Sequence, residues 1–128
     1  MSEDPAQRPH LPSAAPIDAY GKGGFRFAGM SHRGSLLCLP SGIWASPVAA
    51  AAEIDEAALE LVFANAASID HCLIGTGADM VALAPALRAR FREHRIVVEA
   101  MATGAAVRTY NILLGERRRI AALLIAVP

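Results

Sequence analysis

The stretch Cys72-Leu73-Ile74-Gly75-Thr76-Gly77 decides the fold class that we predict for this chain. Its first three residues form a short apolar run of the kind found in buried strands, and two glycines follow within three residues. Open α/β sheets usually place their ligands at such a strand-to-loop edge. We therefore predict an α/β sheet with a cleft above the corner formed by Gly75, Thr76 and Gly77.

Strand and helix patterns alternate around this corner. The order β–α–β–α–β over residues 69–127 predicts a sheet that is covered by helices. Its members after the Cys72 strand are a helix from Pro85, a buried strand over residues 96–101, a helix that Thr103 caps and Gly115 ends, and a strand over residues 119–127.

The amino-terminal third has a different pattern. Residues 1–16 contain four of the eight prolines and no apolar period, so we predict a flexible tail followed by a single domain over residues 17–128. Within that domain we predict a hairpin over residues 17–27, a second turn over 31–34, strands over 35–39 and 43–44, and a helix from Asp55. The apolar residues from Trp44 to Val48 indicate either a contact surface or core.

Size and composition restrict the class of protein. With 128 residues, 54% of them hydrophobic and 19% charged, the chain suits one compact domain. The longest apolar run covers eight residues, whereas a membrane-spanning helix needs about 20, so no direct membrane insertion is predicted. The amino end is acidic and rich in proline where a secretory signal is basic and then apolar, which predicts an intracellular protein.

Charged and metal-binding residues exclude further classes. Residues 1–83 carry a net charge of −5 and residues 84–128 a net charge of +5. Because the arginines are not interleaved with aromatic residues, nucleic acid is not expected as a partner. The two cysteines and four histidines lack the spacing of metal ligands, so no metal or cofactor is predicted, and both cysteines are expected as reduced core thiols.

The glycine corner allows two interpretations. A buried strand followed by Gly75-Thr76-Gly77 is similar to the start of a dinucleotide-binding unit, in which backbone N–H groups contact a phosphate. However, Met80 occupies the place of the third glycine, and the next helix begins late, at Pro85. These departures favour a structural tight turn at the mouth of a cleft.

The third predicted helix contributes the other side of that cleft. Its polar face carries Gly104, Arg108 and Asn111, and its amino end carries Thr103, a combination that can receive an anionic or carbonyl-bearing group. The alternative is structural, with the arginine in a salt bridge and the asparagine bonded to a loop. We predict a cleft for a ligand or partner that is formed by Gly75, Thr76, Gly77, Thr103, Gly104, Arg108 and Asn111.

The same segments carry a resemblance to a known family. Several separated motifs occur in the order that is found in the Mth-nine-three-eight-like domain family, and the chain resembles that family over about residues 16–127. That family includes mitochondrial complex I assembly factor 3 and bacterial and archaeal proteins of unknown function. The motifs are Ile17–Phe27, Gly42–Trp44, Leu73–Gly77, Thr103–Asn111 and Glu116–Ala122.

The resemblance implies a three-layer α/β fold, with a central mixed sheet flanked by helices and an N-terminal β-hairpin addition. It implies no established catalytic residues. Since the amino end is acidic and not an Arg-rich targeting helix, the resemblance favours a bacterial cytoplasmic member of the family over a mitochondrial one. It suggests a non-catalytic interaction, assembly or accessory factor near a membrane protein complex, with a protein partner in an assembly or export context. The glycine corner supports an alternative, a binder of a small anionic ligand or nucleotide at the Gly75–Gly77 cleft, either with or without an enzymatic activity.

Overall fold

The structure is a computed structural model that describes residues 8–128. Short 3-10 turns at Ala51–Glu53 and Ala66–Ser68 flank the first α-helix. The strands and α-helices of the described residues are, in chain order, β1 (Ala19–Gly21), β2 (Gly24–Phe27), β3 (Met30–Arg33), β4 (Ser35–Leu39), β5 (Gly42–Ser46), α1 (Glu60–Ala64), β6 (His71–Gly75), α2 (Pro85–Glu93), β7 (Val97–Met101), α3 (Thr103–Gly115) and β8 (Ile120–Leu124).

The central sheet has five strands in the order β5-β4-β8-β6-β7. Strand β4 runs antiparallel to both β5 and β8, whereas β6 runs parallel to both β8 and β7. Helices α2 and α3 make the crossover connections that parallel strands require. The predicted mixed sheet and the predicted β–α–β–α–β order are therefore confirmed.

Alternation along the central strands divides the core into two clusters. On β8, Ala121 and Leu123 belong to the cluster that contains Leu87 and Phe91 of α2. Ile120, Ala122 and Leu124 belong to the cluster that contains Ala106 and Tyr110 of α3. Each fully buried aliphatic side chain stabilises the fold by about 1.5–3 kcal/mol. Since one sheet separates the two clusters, the predicted three-layer arrangement is confirmed.

The N-terminal addition is a three-stranded antiparallel sheet, in the order β1-β2-β3. It packs on the α3 side of the molecule, because Phe25 and Phe27 are buried in the cluster that also contains Tyr110. The turn predicted over residues 31–34 is wrong, since Met30–Arg33 pairs with β2 along its whole length. The predicted hairpin thus gains a third strand.

Both chain reversals in this sheet are tight hairpin turns, and the second occurs earlier than predicted. Each is a two-residue loop, Lys22-Gly23 between β1 and β2 and Ala28-Gly29 between β2 and β3. All four residues have positive φ angles, between 50° and 80°, as hairpin turns that match the strand twist require. Ala28-Gly29 therefore ends β2 before Ser31 is reached.

Three further elements differ from the predictions. Helix α1 begins at Glu60 instead of Asp55, because residues 56–59 form tighter turns in which the Leu59 N–H donates to the Glu56 carbonyl at 3.1 Å. Strand β7 is not buried: among the described strands it pairs with β6 alone, and Val97 is 59% exposed. Gly115, expected just past the end of α3 at the C′ position, is instead its last residue, and Arg117 adopts the left-handed conformation that is typical of C′.

The predicted tail divides into two parts. Residues 1–7 lie outside the described residues. Leu11 forms an antiparallel bridge with Ile43 of β5, and the Ala15 carbonyl accepts a hydrogen bond from the Tyr110 hydroxyl at 3.3 Å. The described end of this segment therefore contacts the folded domain, while flexibility of the tail stays a prediction.

Candidate functional site

Thr103 joins three elements at the glycine corner, and its side chain is fully buried. Its hydroxyl accepts a hydrogen bond from the Gly77 N–H at 2.9 Å and donates one to the Ile125 carbonyl at 2.7 Å. Its own N–H donates to the Gly77 carbonyl at 2.8 Å. Thr103 is the first residue of α3 and follows the N-cap Ala102, so its hydroxyl binds the corner instead of capping the helix as predicted.

Thr76 and Gly75 complete this joint. The Thr76 N–H donates to the Met101 carbonyl at 2.9 Å, and the Thr76 hydroxyl accepts a hydrogen bond from the Val81 N–H at 3.0 Å. A Cβ atom added at Gly75 would lie 3.1 Å from the Thr103 Cα atom. Glycine at position 75 therefore lets α3 approach the end of β6 closely.

The corner thus has the geometry of a structural turn. In a dinucleotide-binding unit the backbone N–H groups after the strand face the phosphate. Here the N–H groups of Thr76 and Gly77 both donate to protein oxygens. Of the two interpretations that the sequence allowed, these contacts fit the structural tight turn. Binding of a ligand or partner at this corner stays a prediction.

The polar face of α3 is partly occupied by the N-terminal sheet. A Cβ atom at Gly104 would overlap the Tyr20 hydroxyl. The Asn111 side chain accepts a hydrogen bond from the Ile17 N–H and donates one to the Ile17 carbonyl, both at 2.8 Å. Asn111 is therefore bonded to a loop, as the structural alternative proposed, whereas Arg108 is exposed.

The structure brings some of the predicted residues together and leaves others apart. Gly75, Gly77 and Thr103 are in direct contact, and Thr76 lies beside them. Arg108 and Asn111 lie further along α3. Three surface hollows lie on the described chain, and none of the seven predicted site residues lines any of them.

The largest of these hollows by volume is a groove between β5 and α1. It has a volume of about 780 Å³ and is here named the β5–α1 groove. Its carboxylate residues are Glu53, Asp55 and Glu60, and no Lys, Arg or His in the described part of the chain lines it. The other lining residues are Leu37, Trp44, Ala45, Ser46, Pro47, Val48, Ala57, Ala58, Leu61 and Ala64.

Two of the three carboxylates also hold the groove walls in place. Glu53 accepts a hydrogen bond from the Ala49 N–H at 3.0 Å, and Asp55 accepts one from the Ala58 N–H at 2.9 Å. Nearby Arg90 is already paired, with Glu56 at 2.9 Å and with Glu93 at 2.7 Å. The groove therefore combines apolar surface with an acidic edge.

The two cysteines have no exposed reactive thiol. Cys38 and Cys72 are free and fully buried, as predicted. Burial raises the pKa of the Cys38 thiol to about 12 and also raises the pKa of the Cys72 thiol. Because the thiolate is the nucleophilic form, these residues have the properties of core side chains.

Within residues 8–128, no group of three or more His, Cys, Asp and Glu side chains is placed to hold a metal ion.

Sequence reasoning did not identify the β5–α1 groove, although two signals were present. The apolar residues from Trp44 to Val48 were a candidate contact surface, and acidic residues are frequent over 53–60. Only the fold places these two segments on opposite walls of one groove.

The described part of the chain contains no helix that is both long and apolar enough to span a membrane.

Comparison with known proteins assigns this chain to a family. The model of the family described as "Protein of unknown function (DUF498/DUF598)" matches residues 17–125. An uncharacterized protein of Rhodobacter capsulatus is 38% identical over 122 residues, which cover 95% of this chain and 93% of that protein. NADH dehydrogenase (ubiquinone) 1 alpha subcomplex assembly factor 3 of Mus musculus is 31% identical over 118 residues, which cover 92% of this chain but only 64% of the mouse protein.

Solved structures give the same fold. A Bartonella henselae crystal structure, described as an outer membrane protein, has a TM-score of 0.89 at 50% identity and covers 93% of this chain and 100% of that chain. A solution structure from Bordetella pertussis, described as a Mth938-like domain, has a TM-score of 0.79 at 26% identity and covers 98% and 91% of the two chains. The resemblance inferred from the sequence motifs is therefore confirmed.

Proposed function

This chain belongs to the protein family of unknown function DUF498/DUF598, and its relatives include proteins named as complex I assembly factors. We therefore propose that it is a non-catalytic interaction module. Its partner is a protein, bound during assembly of a membrane protein complex. The observation that carries this proposal is the β5–α1 groove, in which an apolar surface lies beside three carboxylates, with no cationic side chain of residues 8–128 in its lining.

The composition of the groove specifies the kind of segment that fits it. Apolar anchors of an amphipathic helix can pack against Trp44, Leu61 and their neighbours, as in other helix-in-groove complexes. Lysines or arginines that flank those anchors would meet Glu53, Asp55 and Glu60. We therefore propose a basic amphipathic helix of the partner protein as the occupant.

Charge reversal in the groove tests this proposal. The probe is a synthetic amphipathic helical peptide with leucines on one face and lysines on the other, and its binding is followed by the fluorescence of Trp44, the single tryptophan of the chain. Glu60→Lys is expected to raise the Kd about tenfold or more, which corresponds to about 1.4 kcal/mol. Glu116→Lys makes the same charge change on an exposed residue outside the groove and serves as the control.

Two results would contradict the groove proposal. One is equal binding of a peptide in which glutamates replace the lysines, since apolar contact alone would then explain the signal. The other is an equal change of Kd in Glu60→Lys and Glu116→Lys, since the effect would then be one of net charge.

The cleft predicted around Gly75–Gly77 and the α3 face stays a second candidate site. Arg108 supports it, because this arginine is exposed and has no salt bridge to any residue in the described range. A small anionic ligand bound there at 100 times its Kd would stabilise the fold by about 2.7 kcal/mol. Thermal-shift measurements with nucleotides and carboxylates, on the wild type and on Arg108→Ala, distinguish this function from binding in the groove.

We further propose that the protein acts in the bacterial cytoplasm, beside the membrane complex. One relative is described as an outer membrane protein, so the location requires a direct measurement. After cell disruption and centrifugation, we expect the protein in the soluble cytoplasmic fraction, or released from membranes by a salt wash. Retention in the outer membrane fraction after that wash would contradict this location.

A further inference from the structure

The outer face of the three-stranded sheet gathers positive charge. In its central strand β2, Arg26 pairs directly with Ser31 of β3, and Gly24 pairs with Arg33. Residues that are paired across strands point to the same side of a sheet. Since Phe25 and Phe27 point into the core, Arg26, Ser31 and Arg33 share the face that is exposed to solvent.

A hollow of about 530 Å³ lies across these strands, and it is here named the β1–β3 hollow. Lys22, Arg26 and Arg33 all line it, and no Asp or Glu of residues 8–128 does. Gly21 leaves space in it, because a Cβ atom added there would meet no atom within 4 Å. The remaining lining residues are Ala19, Tyr20, Gly24, Phe25, Ser31 and His32.

The charges in this hollow are not compensated by the part of the protein that the structure describes. Arg90 and Arg119, by contrast, are each paired with a carboxylate, at 2.9 Å and 2.6 Å. No such ion pair reaches Lys22, Arg26 or Arg33 within residues 8–128. Three like charges converge on one hollow and repel one another, so an anion placed between them would be stabilised.

The positions of the two arginines in the sheet allow both side chains to reach one phosphate group. Arg26 and Arg33 are diagonal neighbours on adjacent strands. The backbone positions of such neighbours lie about 7–8 Å apart, a distance that long side chains can bridge. Guanidinium groups donate paired hydrogen bonds to phosphate oxygens, and the Lys22 ammonium and the Ser31 hydroxyl supply further donors. We propose that the β1–β3 hollow is a binding site for a phosphate group, held chiefly by Arg26 and Arg33.

This proposal does not depend on the β5–α1 groove or on the proposed interaction function. The phosphate group has two possible sources, a free phosphate ester or the headgroup of a phospholipid. Both present oxygens of the same chemistry to the arginines, and the experiment separates them by using different probes.

The experiment titrates three probes against the whole chain and follows backbone amide shifts by NMR. The probes are inorganic phosphate, a nucleoside monophosphate, and phosphatidylcholine vesicles with or without phosphatidic acid. We expect shifts confined to β1, β2, β3 and their turns. Arg26→Gln and Arg33→Gln are each expected to weaken binding about tenfold. Arg88→Gln, on the exposed face of α2, removes the same charge elsewhere and is expected to leave the Kd unchanged.

Each outcome decides the proposal. Saturable shifts with either soluble probe support it and assign the site to a free phosphate ester. Binding only to vesicles that contain phosphatidic acid supports it and assigns the site to a lipid headgroup. The proposal is overturned if no probe shifts these strands, or if Arg88→Gln weakens binding as much as Arg26→Gln does. Unchanged thermal stability of the variants shows that a loss of binding is not a loss of folding.

Discussion

Replacement of Thr103 by Val is expected to lower the free energy of unfolding by about 3 kcal/mol. Valine has nearly the shape of threonine, so packing is retained while the hydroxyl is lost. The Gly77 N–H and the Ile125 carbonyl then lose the partner that they contact at 2.9 Å and 2.7 Å. Each unsatisfied buried polar group costs about 1–3 kcal/mol. Urea denaturation of both proteins measures the difference.

The matched control is Thr103→Ser, which keeps the hydroxyl and removes one buried methyl group. Its expected cost is about 1 kcal/mol, the effect of a small cavity. If the valine and serine variants lost equal stability, the hydrogen bonds would contribute nothing beyond packing. The interpretation of the glycine corner as a joint between β6, α3 and β8 would then be wrong.

Replacement of Asn111 by Ala is the second change with a large expected effect, also about 3 kcal/mol. The Asn111 amide satisfies both the N–H and the carbonyl of Ile17, a residue that is only 3% exposed. Without it, both backbone groups remain unpaired and the segment that leads into β1 loses its attachment to α3. Denaturation measures the stability, and hydrogen exchange of the Ile17 amide measures the local detachment.

Arg108→Ala is the control for this second prediction, because Arg108 lies on the same helix but is exposed. Exposed substitutions usually change stability by no more than about 0.5 kcal/mol. Retained protection of the Ile17 amide in Asn111→Ala would show that the side-chain bonds do not hold this segment. It would also restore Asn111 as a candidate for contact with a ligand.

Several predicted elements follow from local patterns alone. Helix α2 begins at Pro85 as predicted, because the missing N–H of proline is not needed in the first helical turn. Strands β6 and β8 were recognisable as apolar runs, since a strand covered on both faces needs apolar side chains in succession. Strand β7 shows the limit of this rule, because its apolar sequence lies at an edge of the sheet.

The sequence by itself determined the β–α–β–α–β order over residues 69–127, the mixed α/β class and the family. These properties depend on periodicity and on motifs within short segments, which are visible in the chain before it folds. The exposed face of the N-terminal sheet also follows from alternation, once the positions of the turns are known.

Only the tertiary structure decided what the predicted site residues contact. Gly77 is satisfied by a hydroxyl 26 residues away, and Ile17 by a side chain 94 residues away. Likewise, the walls of the β5–α1 groove come from separate segments, and its acidic edge has no cation among its lining residues. Whether a polar group is free to bind a ligand depends on which distant residue contacts it. Local sequence patterns do not indicate that residue.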